Sequence, residues 1–224
     1  MTVLRMFTSG ITSTESNDSD VKELREKLPF VSGCDYLERN QFIEDAYNLS
    51  SDYRAEEIDE LPFFKDIDLE ILKDAILQRR SIRAFRENSL TSAEFDFIFK
   101  DIFAFAKVYK IDIYYTVHNI VDKKVGLYKN EELIKEGEFS SNSGYLSLEQ
   151  KIGSSSAMTI YFTSNEVEKY QQVNILSGFL AHVIYLKSTI KMIGCSGIGA
   201  YYDDDVKNFL NTKNNILYLL AVGR

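Results

Sequence analysis

Tryptophan is missing from this 224-residue chain, and cysteine, histidine and proline each occur only twice. Cys34 and Cys195 lie far apart and no CxxC or HExxH spacing exists, which excludes a disulfide framework or a recognisable metal motif. Each cysteine reads as a small buried apolar residue, and His118 and His182 read as packed core histidines rather than catalysts. No metal site is expected. No apolar run reaches the roughly 18 residues of a membrane span, and the first ten residues lack a signal-peptide core. Positive charge is also short: net charge is −8 and the pI about 4.9, a field that repels nucleic acid and anionic membranes alike. These absences predict a cytoplasmic protein with no nucleic-acid or membrane partner.

What is present is enough for a substantial core: 45% of residues are hydrophobic and 13% aromatic. Residues 8–20 are polar and Ser/Thr-rich, so 1–20 reads as a flexible segment that cannot offset its own ordering entropy. Residues 21–65 read as an arm, in which Leu24, Leu28 and Phe30 fit a short helix and Pro29 and Pro62 flank 35–53. Residues 66–224 read as the folded domain.

Within it, Arg79, Arg80, Arg83 and Arg86 crowd around Ser81 in an otherwise acidic chain. Guanidinium forks match phosphate oxygens and a serine hydroxyl adds a donor, so the run reads as a phosphate-monoester site. It fits equally a solvated helix end, where the macrodipole favours cations without any ligand. Asp66 and Asp68 can cap a preceding helix that carries Leu69, Leu72, Ile76 and Leu77. Thr91 to Glu94 forms a capping box, followed by Phe95, Ile98, Phe99, Ile102, Phe103 and Ala106 on one helical face, a pattern of core packing.

Residues 111–119 and 124–128 are β-branched and aromatic around a turn at 121–123, which predicts a hairpin. Residues 133–145 read as loop, 157–162 as a strand, and the run through Val173, Leu176, Leu180, Val183 and Ile184 as a long central helix. Gly194 to Ala200 reads as a glycine-rich loop, open to close approach by a flat ligand. A short helix after Tyr202 and a buried strand at 216–222 complete the chain. Helices and strands mix without a βαβ repeat, so the fold class is α+β.

The order of these motifs resembles the nitroreductase superfamily: Arg79-Arg80-Ser81-Ile82-Arg83, a hairpin ending Gly126-Leu127-Tyr128, Lys169-Tyr170, Gly194 to Asp204, and a strand ending Val222-Gly223. Within it the pattern is most similar to the SagB-type, or azoline, dehydrogenases of ribosomal peptide biosynthesis. The resemblance implies a mostly antiparallel sheet flanked by helices, over a homodimer with FMN at the subunit interface. It implies that Arg79, Ser81 and Arg83 hold the FMN phosphate, with Arg224 as a further candidate. Gly199 and Ala200 would present backbone N–H groups to the flavin ring, and Gly197 would allow the close approach. Lys169 and Tyr170 match the pair that takes the proton when a peptide thiazoline or oxazoline is oxidised to the aromatic ring. A precursor peptide would be the substrate, delivered by a cyclodehydratase or scaffold protein. The family's Pro-Ser-x-Gly-Ala segment is missing ahead of the hairpin, where Ala104 to Lys110 stands. The alternatives are an NAD(P)H-dependent reductase of nitro, quinone or dehydroamino-acid substrates on the same fold, or a non-catalytic subunit of a heterocyclase complex.

Overall fold

The structure is a computed structural model that describes residues 61–86 and 88–224, with Gln41, Ile43, Glu44, Asp45 and Asn48. The expected segment 1–20, and most of the expected arm 21–65, lie outside the described residues. Every element below belongs to one compact unit, Glu56–Arg224.

After a single 3-10 turn at Pro62–Phe64, helix α1 (Leu69–Gln78) begins where the Asp68 carboxylate accepts the backbone N–H groups of Glu70 and Ile71 at 2.9 and 3.3 Å. The helix is the one expected, but its apolar residues do not form a core face. Leu69, Ile71, Ile76 and Leu77 stand exposed and only Ala75 is buried.

Helix α2 (Ser92–Phe99) starts on the predicted capping box: Glu94 N–H donates to the Thr91 hydroxyl and Thr91 N–H to the Glu94 carboxylate. The single helical face drawn through Ala106 is in fact two helices. Asp101 adopts a left-handed conformation, φ 68°, and α3 (Ile102–Val108) leaves in a new direction while Phe95, Ile98, Phe99, Ile102, Phe105 and Ala106 all stay buried. No glycine or proline marks this break in the sequence.

The hairpin forms as expected from β1 (Asp112–Val117) and β2 (Gly126–Lys129), with Tyr115 opposite Tyr128. The stretch expected as loop instead contains β3 (Glu132–Glu136) and helix α4 (Ser140–Leu146). β3 hid because it buries no side chain fully, only Leu133 packing in part against the core; it is held by backbone pairing to β2, with charged residues along the sheet edge. Helix α5 (Lys151–Ser155), strand β4 (Met158–Ser164), helix α6 (Tyr170–Ile190), strand β5 (Gly194–Ile198), helix α7 (Asp203–Leu210) and strand β6 (Asn215–Gly223) follow.

The six strands form one sheet in the order β3-β2-β1-β4-β6-β5, antiparallel throughout. The period-2 alternation sends Tyr115, Ile160, Leu220 and Cys195 into a core shared with α2, α3 and α6. The intervening Tyr114, Tyr161, Leu219 and Ile198 enter a second core under α4, α5 and α7. The α+β expectation therefore holds. Although no membrane-length run was expected, α6 is long and apolar enough to cross a membrane by composition alone; here it lies within the first core, with Leu180 and Ile184 fully buried.

Most of Gly194 to Ala200, expected as a loop, is the edge strand β5. Two of its glycines are required by packing. A Cβ on Gly194 would lie 2.9 Å from the Ile82 side chain, and one on Gly197 would lie 1.9 Å from the Tyr218 hydroxyl.

Candidate functional site

The free edge of β5 is where the predicted residues gather. Leaving α1, the chain turns extended at Arg79 and pairs once with β5, Ser81 against Cys195, with Ile82 N–H donating to the Cys195 carbonyl at 3.0 Å. Arg79 stacks its guanidinium 5.1 Å from the centre of the Tyr185 ring on α6. The Tyr185 hydroxyl is the hub of this corner. It accepts Gly197 N–H at 2.5 Å and lies 3.0 Å from the Ser81 hydroxyl. With one lone pair taken by Gly197, Tyr185 can donate its proton to Ser81, which leaves the serine O–H for an incoming acceptor.

The four arginines part company. Arg79 is half-buried and Arg83 exposed beside Ser81. Arg80 folds back to donate to the carbonyls of Leu77 and Arg79 at 3.0 and 2.8 Å, the helix-end role. Arg86 contributes a backbone N–H to the Arg224 carbonyl. Arg224 directs its guanidinium to the Glu94 carboxylate, so its charge is spent on the α2 cap.

At the other end of β5, Gly199 and Ala200 are exposed, and a Cβ built on Gly199 would meet nothing within 4 Å. From Cys195 to Gly199 is four strand residues, about 13 Å. Lys169 precedes α6 and Tyr170 is its first residue, both exposed, and Tyr170 lies close enough to Tyr201 to help hold that phenol un-ionised. Tyr170 is thus within electrostatic reach of Tyr201, the neighbour of Ala200. Lys169 and Tyr170 stand about 22 Å along α6 from Tyr185 and the arginines. Beyond Tyr170, Ile175 and His182 are the exposed residues of α6, at spacings of four and eleven from the half-buried Gln171, so one stripe of α6 is open between the two ends.

The sequence did not single out Tyr185 or Tyr218, and it read His182 as a core residue. His182 is exposed, and partial burial followed by the Arg79 charge keeps its imidazole below the usual range. Burial, then Tyr185, pushes Tyr218 up to about 12, while burial raises the Cys195 thiol well above its ordinary value. The spacing of His182 and Tyr185, three apart on one helix, was the available signal. His118 is the packed histidine expected: its ring nitrogens reach the Ser156 carbonyl at 3.0 Å and the Thr116 hydroxyl at 2.9 Å. Among the described residues no cluster of His, Cys, Asp or Glu could hold a metal ion.

Solved structures with the same chain path settle the architecture. A nitroreductase of Bacillus subtilis superposes with a TM-score of 0.54 at 19% identity, over 68% of this chain and 66% of its own. The fold is that of the nitroreductases. Nitroreductase A of Vibrio parahaemolyticus gives 0.53 at 16% identity over 70% of this chain and 69% of its own. A protein of Anabaena variabilis, provisionally titled a nitroreductase, gives 0.59 at 22% identity over 68% of this chain. This chain spans only 38% of that protein's length, and just under two thirds of the Bacillus one. A Methanocaldococcus jannaschii protein with a provisional nitroreductase name is 24% identical over 191 residues, 74% of this chain and 95% of its own length. No family model matches the sequence.

Cationic and hydroxyl donors stand at one end of the β5 edge, an uncrowded backbone stands at the other, and an open helical stripe runs between.

Proposed function

We propose that the protein is an FMN-dependent oxidoreductase. The observation that carries this reading is the Tyr185 hydroxyl, which binds Ser81 and Gly197 and so fixes the donor-rich turn against the β5 edge that leads to Gly199. Arg79, Ser81 and Arg83 would hold the phosphate, and the backbone N–H groups of Gly199 and Ala200 would meet the ring. Bound FMN would supply the hydride acceptor. Arg224 plays no part in phosphate binding while Glu94 holds its guanidinium.

The substrate reading is oxidation of thiazolines or oxazolines in a precursor peptide, in partnership with a cyclodehydratase or scaffold protein. It is supported by Tyr170, at the start of α6 and next to Lys169, lying within electrostatic reach of Tyr201 beside Ala200. Lys169 Nζ would take the proton from the ring carbon next to the carbonyl, and Tyr170 would orient it. A lysine base needs burial to approach neutrality, and Lys169 is exposed in the single chain, so a second copy or the peptide must cover it. The exposed Leu69, Ile71, Ile76 and Leu77 of α1 and Ile175 of α6 support a homodimer that covers this side. The reductase reading is favoured by the names of the similar proteins.

One experiment separates them. Full-length protein is purified, tested for retained or added FMN, and incubated with a heterocyclised peptide or with NAD(P)H and a nitroaromatic. The dehydrogenase reading expects a peptide lighter by about 2 Da per ring. NAD(P)H oxidation with unchanged peptide mass would establish the reductase instead, and failure to bind FMN would remove both.

A further inference from the structure

On the β1 side of the sheet, a cavity of about 390 Å³ opens between α2, α3, β1 and the β2–β3 turn. That is within the size range of small-ligand sites, and two strands, β4 and β6, separate β1 from β5. One wall is a row of rings. Phe95 and Phe99 stack at 4.5 Å, Phe99 and Phe103 at 4.9 Å, and Tyr115 tilts against all three at 5.6 to 6.0 Å.

Two donors at this wall have no acceptor. Tyr115 is completely buried, yet its hydroxyl has no hydrogen-bond partner among the described residues. Burial keeps it protonated, so it remains a donor. Lys123 holds its ammonium 4.0 Å from the Phe95 ring and 4.7 Å from the Tyr128 ring without an ion pair among the described residues. Burial lowers its pKa although Asp96 and Glu131 act in the opposite direction, so its charge is under-compensated. An unsatisfied buried donor is destabilising, and an acceptor oxygen would recover that loss. Asp96 and Glu131, both lining the cavity and exposed, supply negative charge at its rim.

A ring wall, paired donors beneath it and carboxylates at the mouth describe one kind of molecule. We propose that this cavity binds a free aromatic α-amino acid. Its ring lies on the phenylalanine row, its carboxylate meets Lys123 and Tyr115, and its ammonium meets Asp96 and Glu131. The inference is independent of the flavin reading, since it uses no residue of the β5 edge.

The test is titration of the full chain, without added flavin, with L-phenylalanine, 3-phenylpropanoate and phenethylamine, followed by amide chemical shifts. L-phenylalanine is expected to give saturable shifts at residues 95–103, 115 and 123. Each half-ligand should bind about tenfold or more weakly, because each forfeits one charged contact. Lys123→Met should weaken L-phenylalanine about tenfold and Tyr115→Phe about fivefold, on the usual worth of a charged and a neutral hydrogen bond. Tyr115→Phe should also raise the unfolding midpoint of the ligand-free protein, since it removes an unpaired polar group. No saturable shift with L-phenylalanine, equal binding of either half-ligand, or shifts that persist unchanged in Lys123→Met would each overturn the proposal.

Discussion

The ammonium of Lys187 on α6 donates to the backbone carbonyl of Lys100 across 2.8 Å, at the point where α2 stops and α3 begins. A carbonyl at a helix end has no partner within the helix, and a cation is the favoured group there. Lys187 is 1% exposed, with Phe63 and Phe97 rings about 6 Å from its nitrogen, and its pKa is pushed down to about 8 by burial against the attraction of Asp101.

A lysine that binds its proton less tightly when folded makes the native state release protons before the unfolded state does. Between about pH 8 and the unfolded lysine's ordinary value near 10.5, the unfolded chain carries more protons, so this group makes stability rise with pH. Cys195, whose thiol burial raises well above an ordinary value of 9.0, opposes the trend from about pH 9, and the buried phenols of Tyr115 and Tyr201 oppose it above about pH 10. Denaturant midpoints of the full chain should therefore climb from about pH 8 toward pH 9, and Lys187→Met should flatten that climb. An equal slope in the variant would show that another group sets it.

Gly197→Ala should cost about 1 to 3 kcal/mol, because the new methyl meets the Tyr218 hydroxyl and overpacked sites must shift. Tyr218→Phe removes the clashing oxygen, so the double variant should recover much of the loss. A denaturation double-mutant cycle with no coupling would show that the backbone moves instead.

Gly199→Ala should leave stability within about 0.5 kcal/mol, as nothing lies within 4 Å of its new methyl. Under the flavin reading the same methyl intrudes on the ring, so FMN affinity should fall while the unfolding midpoint holds. Fluorescence titration with FMN distinguishes this from a merely structural glycine.

Glu94→Ala should cost about 1 to 2 kcal/mol, since it opens the α2 capping box and strands Arg224. Burial works to raise the Glu94 pKa, but the Thr91 hydrogen bonds and the Arg224 charge outweigh it and hold the carboxylate below its ordinary value. Its contribution is thus present above the unfolded value of 4.5 and lost as pH falls through the folded one. Wild type should lose stability on acidification more steeply than the variant.

What the residues announced by themselves was local. The Asp68 cap, the Thr91 capping box, the 111–128 hairpin and the length of α6 depend on neighbours a few positions apart, so chain order alone discloses them. The Arg79-Arg80-Ser81-Ile82-Arg83 run marked a segment that turns against β5, though not which of its arginines are engaged within the chain. Tertiary packing decided the rest. The helix break at Asp101 is stabilised by a lysine 87 positions from Lys100, and the glycine run became a strand because β6 supplied its hydrogen bonds. Tyr185 and His182 reached the site because α6 turns that face toward β5, and Tyr218 reached it because β6 is the neighbour of β5. A one-dimensional pattern shows which residues share a helix face; only the fold decides whether that face meets core, solvent or a ligand.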